Sequence, residues 1–407
     1  MLQMNRSARF LALAAVVAST LSLLACGSAS TYDPITPSRI VAFGDALVDV
    51  GQSGRVDANN ANTKYRFTVN QAAAGGANTS STFIEAIAGN FGLGAVTYAL
   101  DSLVSSRLPS TGAYSYGEFG AMVSGAAGTK DARGCTKVAA TATAYCAYNL
   151  QAQIDLFLSH GTPTANDLFV ISIGTGDIMA NGIRGMTITS TAPYAGLDDV
   201  QTALGGALTT TASINAQIQA AANALAVQVK RLTDAGAKYV LVVGPPNVGR
   251  SPWAAETGYT ALLQNLSYAT GSEYTSMSSE GLARIQATFG STINNPVLFV
   301  ETAGVVNTLT DGTNTTFANR SSAVCAATTN TSTTDNAKSI GTGVKPSAAV
   351  GTTPAGRLSA ALCTTDTLGG ANPGTYVYAD GVNFTPAMQN QIYYQALSKM
   401  RMAAWIN

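Results

Sequence analysis

Four short apolar runs, each enclosed by turn-forming residues, constrain the fold of this chain more than any other feature. They lie at Arg39-Ile40-Val41-Ala42-Phe43-Gly44, Leu168 to Ile173, Lys238 to Val243 and Pro296 to Val300, and each is bounded by Gly, Pro, Asn or Asp. A strand with no polar alternation has no face to show to water, so runs of this kind belong in a parallel sheet covered on both sides. The intervening segments supply the cover. Ile214, Ile218, Ala222, Leu225, Val229 and Leu232 form an apolar stripe at helical spacing that stops at Gly236, just before the third run. Shorter stripes fall at Phe83, Ile84, Ile87 and Phe91 and at Leu150, Ile154, Phe157 and Leu158. A last helix is expected to open with Thr385 as N-cap and Pro386 in its first turn, then to run through Ile392, Ala396 and Met400. Strand and helix alternate without a charge run or an interdomain linker, so the expected architecture is α/β, a three-layer α/β/α sandwich with a parallel sheet, built as one domain over residues 39–407.

The ends and insertions follow from composition. Arg6 and Arg9 precede an uncharged apolar run from Phe10 to Leu24, short for a membrane span and suited to the core of a signal peptide. The run closes on Leu23-Leu24-Ala25-Cys26, which resembles the bacterial lipobox, whose cysteine is diacylated and becomes the new N-terminus. Residues 1–25 are therefore expected to be a lipoprotein signal peptide, Cys26 the lipidation site and 26–38 a polar tether. With Gly27 next to the cysteine, the resemblance implies the outer membrane of a bacterial envelope, reached through the lipid anchor. An ordinary cleaved signal with an unrelated cysteine is the alternative. Using Cys26 for lipid leaves Cys135, Cys146, Cys325 and Cys363, an even number in an oxidising compartment. Of the three pairings, the sequence-local one is favoured, Cys135–Cys146 and Cys325–Cys363, because each closes one loop-like segment. Those segments are expected insertions near 129–148 and 326–361, the second rich in Thr, Ser, Asn, Gly and Ala. The chain carries 22 Lys and Arg against 22 Asp and Glu, a net charge of zero, so a nucleic-acid partner is not expected. Its one histidine, His160, leaves no material for an imidazole metal site, and no metal or cofactor is expected.

The residues at the end of the first run carry more specific information. They read Phe43-Gly44-Asp45-Ala46-Leu47-Val48-Asp49-Val50-Gly51, and later segments keep company with them in order. Phe67-Thr68-Val69-Asn70 comes before the Phe83 stripe, followed by Val123-Ser124-Gly125-Ala126, then Gly174-Thr175-Gly176-Asp177 after the second run, and finally Tyr378-Ala379-Asp380-Gly381-Val382-Asn383-Phe384-Thr385-Pro386. This series resembles the SGNH, or GDSL, hydrolases, whose opening block is Phe-Gly-Asp-Ser-Leu-x-Asp-x-Gly, whose third is Gly-x-Asn-Asp and whose last is Asp-Gly-Val-His-Pro-Thr. The resemblance implies hydrolysis of carboxylic esters, with a serine nucleophile on the turn after the first strand, a histidine base beside an aspartate, and an oxyanion hole made at the first three blocks.

At three of those positions the chemistry is missing. The nucleophile position is Ala46, the base position is Asn383, and the oxyanion asparagine is Gly176; Asp380 and Gly125 match. A methyl group cannot attack an acyl carbon, and an amide has no proton equilibrium near neutral pH. The degenerate triad is thus Ala46, Asn383 and Asp380, with oxyanion-hole positions Ala46, Gly125 and Gly176 and motif-supporting residues Asp45, Asp49, Gly174 and Asp177. His160 precedes the second strand, at the amino edge of the sheet, whereas catalytic groups of such sheets gather at the carboxyl edge. Asp45, Asp177 and Asp380 are expected to hold turns together rather than to bind a cation. The expectation is a catalytically silent hydrolase-like lipoprotein whose pocket binds an acyl or carbohydrate ester-like ligand. The alternatives are an active esterase or lipase with an unorthodox site and a purely structural envelope protein.

Overall fold

A computed structural model of the chain describes residues 34–51, 66–70, 82–103, 106–123, 147–188, 201–202, 204–268, 272–291, 295–325, 363, 368 and 370–407. The four apolar runs are strands β1 (Arg39–Gly44), β4 (Asp167–Ser172), β5 (Tyr239–Val243) and β6 (Val297–Val300). Two further strands that lack a strong apolar signal, β2 (Val96–Tyr98) and β3 (Gly112–Ser115), complete one six-stranded sheet in the order β2-β3-β1-β4-β5-β6. All its pairings are parallel, and β1 lies with Ile40 opposite Ala113 on one side and Leu168 on the other.

Every residue of β1, β4 and β5 is buried, as a sheet covered on both faces requires. Successive side chains divide between two cores. Val41, Phe43, Phe169, Ile171, Val240 and Val242 face helices α2 (Leu150–His160), α3 (Thr175–Gly185), α4 (Thr211–Asp234), α5 (Pro252–Thr257), α6 (Thr260–Ser267) and α7 (Met277–Phe289). Ile40, Ala42, Leu168, Val170, Leu241 and Val243 face α1 (Phe83–Asn90), α8 (Thr302–Thr310) and α9 (Pro386–Met402). The molecule is a three-layer α/β/α sandwich.

Local capping follows the sequence. Asn149, Thr210 and Thr385 each accept an N-cap hydrogen bond from the backbone N–H three residues on. Thr82 and Glu85 form a capping box at α1. At the amino edge Arg39 and Asp167, both buried, pair through two hydrogen bonds of 3.0 and 2.5 Å, and the guanidinium also donates to the carbonyls of Pro109 and Thr162.

Beside the main sheet, β7 (Asn319–Ala323) and β8 (Tyr376–Tyr378) form a two-stranded parallel sheet. Cys325 and Cys363 are joined in a disulfide, as expected, and pack with Val69, Val324, Leu368 and Ala379 in a small core. The lipobox with Cys26, the expected Cys135–Cys146 bridge, Gly125 and the 326–361 insertion lie outside the described residues. So does all but the last two residues of the insertion near 129–148. No helix among the described residues is long and apolar enough to cross a membrane.

Candidate functional site

The chain leaves β1 toward β2 and β3 on one side and returns to β4 on the other, so the strand order reverses at β1. In open α/β sheets the crevice outside the carboxyl ends of the strands flanking such a reversal is the place for ligands. Here those ends bring together Gly44-Asp45-Ala46, the Tyr116–Phe119 loop and Gly174–Asp177, the first and third of the sequence blocks.

The β1 turn is held on every side. Gly44 has φ +137°, and a Cβ there would lie 1.7 Å from the Ser172 carbonyl oxygen, so only glycine fits. Gln153 of α2, fully buried, accepts from the Gly44 N–H and donates to its carbonyl. After Gly44 the backbone closes a turn, with Val48 and Asp49 N–H groups donating to the Asp45 carbonyl. Asp49 accepts from the N–H groups of Gly51 and Phe119, stapling the turn to the loop after β3.

Position 46 faces an apolar surface. Phe67 and Phe119 stack with ring centroids 3.8 Å apart, and the half-buried Ala46 methyl packs against the pair. Phe67 opens one of the family-like segments, and Phe119 lies outside them all.

Beneath Ala46 lies a pair of buried carboxyls. Burial pushes Asp45 up to about 7, partly opposed by hydrogen bonds from the side chain and backbone of Thr175 and from the backbone of Leu47. Its Oδ2 is buried without a hydrogen-bond partner. Burial also pushes Asp177 up to about 7; the N–H of Val123, which donates to its Oδ2 at 3.0 Å, opposes the shift, and the nearby charge of Asp45 adds to it. Thr175, half-buried, is the first residue of α3, behind Gly174 with φ +117°. Gly176 is pressed against the segment before the second block: a Cβ there would lie 2.5 Å from the Ala121 carbonyl oxygen.

The last block forms a separate, tightly bonded turn. Asp380 Oδ1 accepts from the N–H groups of Val382 and Asn383 at 2.9 and 2.7 Å, and Oδ2 accepts from Asn383 Nδ2 at 2.9 Å. Both residues are buried. The segment 66–70 links this turn to the β1 turn, because Thr68 donates to the Phe384 carbonyl while its neighbour Phe67 lies against Ala46. Asn70 extends the link to the disulfide by donating to the Cys363 carbonyl.

His160 is the final residue of α2, its Nδ1 2.7 Å from the Leu156 carbonyl oxygen, and it precedes the amino end of β4. The sheet separates it from the crevice. Among the described residues no group of three or more His, Cys, Asp or Glu is placed to hold a metal ion. The sequence singled out Asp45, Ala46, Asp49, Gly174, Gly176, Asp177, Asp380 and Asn383 at these turns; Phe67 and Thr175 lay inside named segments without a role assigned to them, and Phe119 and Gln153 lay outside every such segment. In comparisons with known proteins, the chain matches no protein-family model and no curated protein.

Proposed function

We propose that this chain is a catalytically silent relative of the SGNH/GDSL ester hydrolases. It would be a bacterial envelope lipoprotein, anchored in the outer membrane through Cys26, that keeps a pocket at the carboxyl edge for an acyl or carbohydrate ester-like ligand. The observation that carries this reading is the Asp380–Asn383 pair. A base in such a dyad must take a proton from the nucleophile while the carboxylate steadies it. Asn383 holds the matching position with its amide donated to Asp380, and an amide takes up no proton. At the nucleophile position the Ala46 methyl against two aromatic rings suits an apolar chain and provides no attacking atom.

One observation favours a second reading, an active hydrolase. The hydroxyl of half-buried Thr175 is hydrogen-bonded to Asp45, whose carboxyl is poised near neutral pH at the same crevice. Hydrolysis of short-chain p-nitrophenyl esters separates the two. The silent reading expects no turnover above buffer from the natural chain, and a gain on the order of 10²-fold or more in an Ala46→Ser/Asn383→His variant. Gly176 is left unchanged in that variant because a side chain there meets the Ala121 carbonyl. Turnover by the natural chain that disappears in Thr175→Val would replace the silent reading with the second.

A further inference from the structure

We infer that the C-terminal end of α9 is the face this protein turns toward an anionic lipid bilayer. The inference rests on the reading of Cys26 as the lipid anchor, and three independent features of the structure point to the same end of the molecule.

The first is where the tether enters. The Ile35 N–H donates to the Trp405 carbonyl, and the Trp405 N–H donates to the Met400 carbonyl, so the chain arrives one turn from the end of α9. The nine steps from Cys26 to Ile35 span at most about 32 Å when fully extended. A compact chain of this length is on the order of 50 Å across. A tether shorter than the molecule keeps the face opposite its entry point off the bilayer and favours the entry face itself.

The second is charge. Lys399 and Arg401 are exposed in the last turn of α9, and the helix contains no acidic residue from Pro386 to Met402. Cations at a membrane-proximal helix end are drawn to anionic headgroups and fall off in influence within a Debye length.

The third is apolar surface. Three large apolar or aromatic side chains among the described residues are well exposed, and two of them, Tyr394 (59%) and Met402 (75%), are on α9. Met402 also borders a cleft of about 210 Å³ between α7, β6 and α9, lined by Leu282, Ile285 and Phe299, in which Lys399 is the one charged residue. An exposed apolar side chain flanked by cations with long alkyl stems can enter the acyl boundary while the charges stay at the headgroups.

The test uses the full chain purified from membranes and reconstituted into phosphatidylglycerol/phosphatidylethanolamine vesicles. A photo-reactive benzoylphenylalanine replaces Met402 in one preparation. In another it replaces Val227, which is 55% exposed on α4 in the opposite helix layer. Vesicle flotation is scored first, then crosslinking to lipid. Position 402 is expected to capture phospholipid at least about tenfold better than position 227, and Lys399→Glu/Arg401→Glu to lower that yield several-fold. Chains that float but crosslink equally from both positions, or that crosslink from 402 to a second copy of the protein, overturn the seating and leave the anchor standing. Chains that do not float overturn both.

Discussion

At the scale of single residues, the crevice contains a stored electrostatic cost. An aspartate in the unfolded chain titrates near 3.8, and burial moves Asp45 up to about 7. Between these values the folded state holds the extra proton, so this residue's contribution to stability declines as pH rises from 3.8 and is fully lost above about 7. Replacing it with the neutral isostere removes the cost of the charged form. Asp45→Asn is therefore expected to be more stable than the natural chain at pH 8 by about 1–3 kcal/mol, with the gap closing toward pH 5. Urea unfolding at the two pH values measures it, and a gap of equal size at both would show that the carboxyl is not titrating in this range. Gly44 and Gly176 obey a different constraint, steric rather than electrostatic. Each stands where a side chain would run into a carbonyl oxygen of a neighbouring segment.

At the scale of elements, the amino edge is held by the Arg39–Asp167 pair, which ties the starts of β1 and β4 together across 128 positions of sequence. Both partners are buried, so cutting one leaves an uncompensated charge. Arg39→Met should cost about 3–5 kcal/mol in chemical denaturation, and adding Asp167→Leu should restore most of it. A double variant no better than the single would locate the loss in the guanidinium's bonds to Pro109 and Thr162 instead. The same elements explain what could be read beforehand. β1, β4, β5 and β6 were legible because continuous burial leaves a continuous apolar run. α4 and α9 were legible because their stripes end at Gly236 or begin at Thr385-Pro386. β2 and β3 are three and four residues long, and Gly112-Ala113-Tyr114-Ser115 has a single bulky side chain, so sheet pairing rather than composition makes it a strand. α3 was obscured by Gly176, Gly182 and Gly185, tolerated because Ala121, Leu263 and Ile214 pack where side chains would stand. β7, Asn-Arg-Ser-Ser-Ala, is polar and pairs at a sheet of its own. At the crevice the turns were legible through their Gly-Asp pairs, and Phe67 stood in a family-like segment with no role attached to it, whereas Phe119 and Gln153 come from segments without a motif and are brought in only by the tertiary fold.

At the scale of the whole molecule, the disulfide joins positions 38 apart and connects the C-terminal part of the chain, through the Cys363 carbonyl and Asn70, to the segment that covers Ala46. Loop closure of that size is worth about 4 kcal/mol by chain entropy. A Cys325→Ser/Cys363→Ser variant should lose up to that amount in urea unfolding, and the natural chain should match the variant once dithiothreitol is added. Insensitivity of the natural chain to reductant would mean that the bridge contributes nothing to the folded state. The central place of β1 has one more consequence, for the order in which the fold can be assembled. Of the described strands this one is synthesised first, yet its full-length partner β4 follows it by more than a hundred residues. At translation rates of 5–20 residues per second, roughly 6 to 25 s pass between completion of Gly44 and completion of Ser172. Only β3 (Gly112–Ser115) arrives sooner, to cover one edge of β1; the edge that β4 will take stays open for the whole interval, and the nascent chain depends on whatever shields it until that partner arrives.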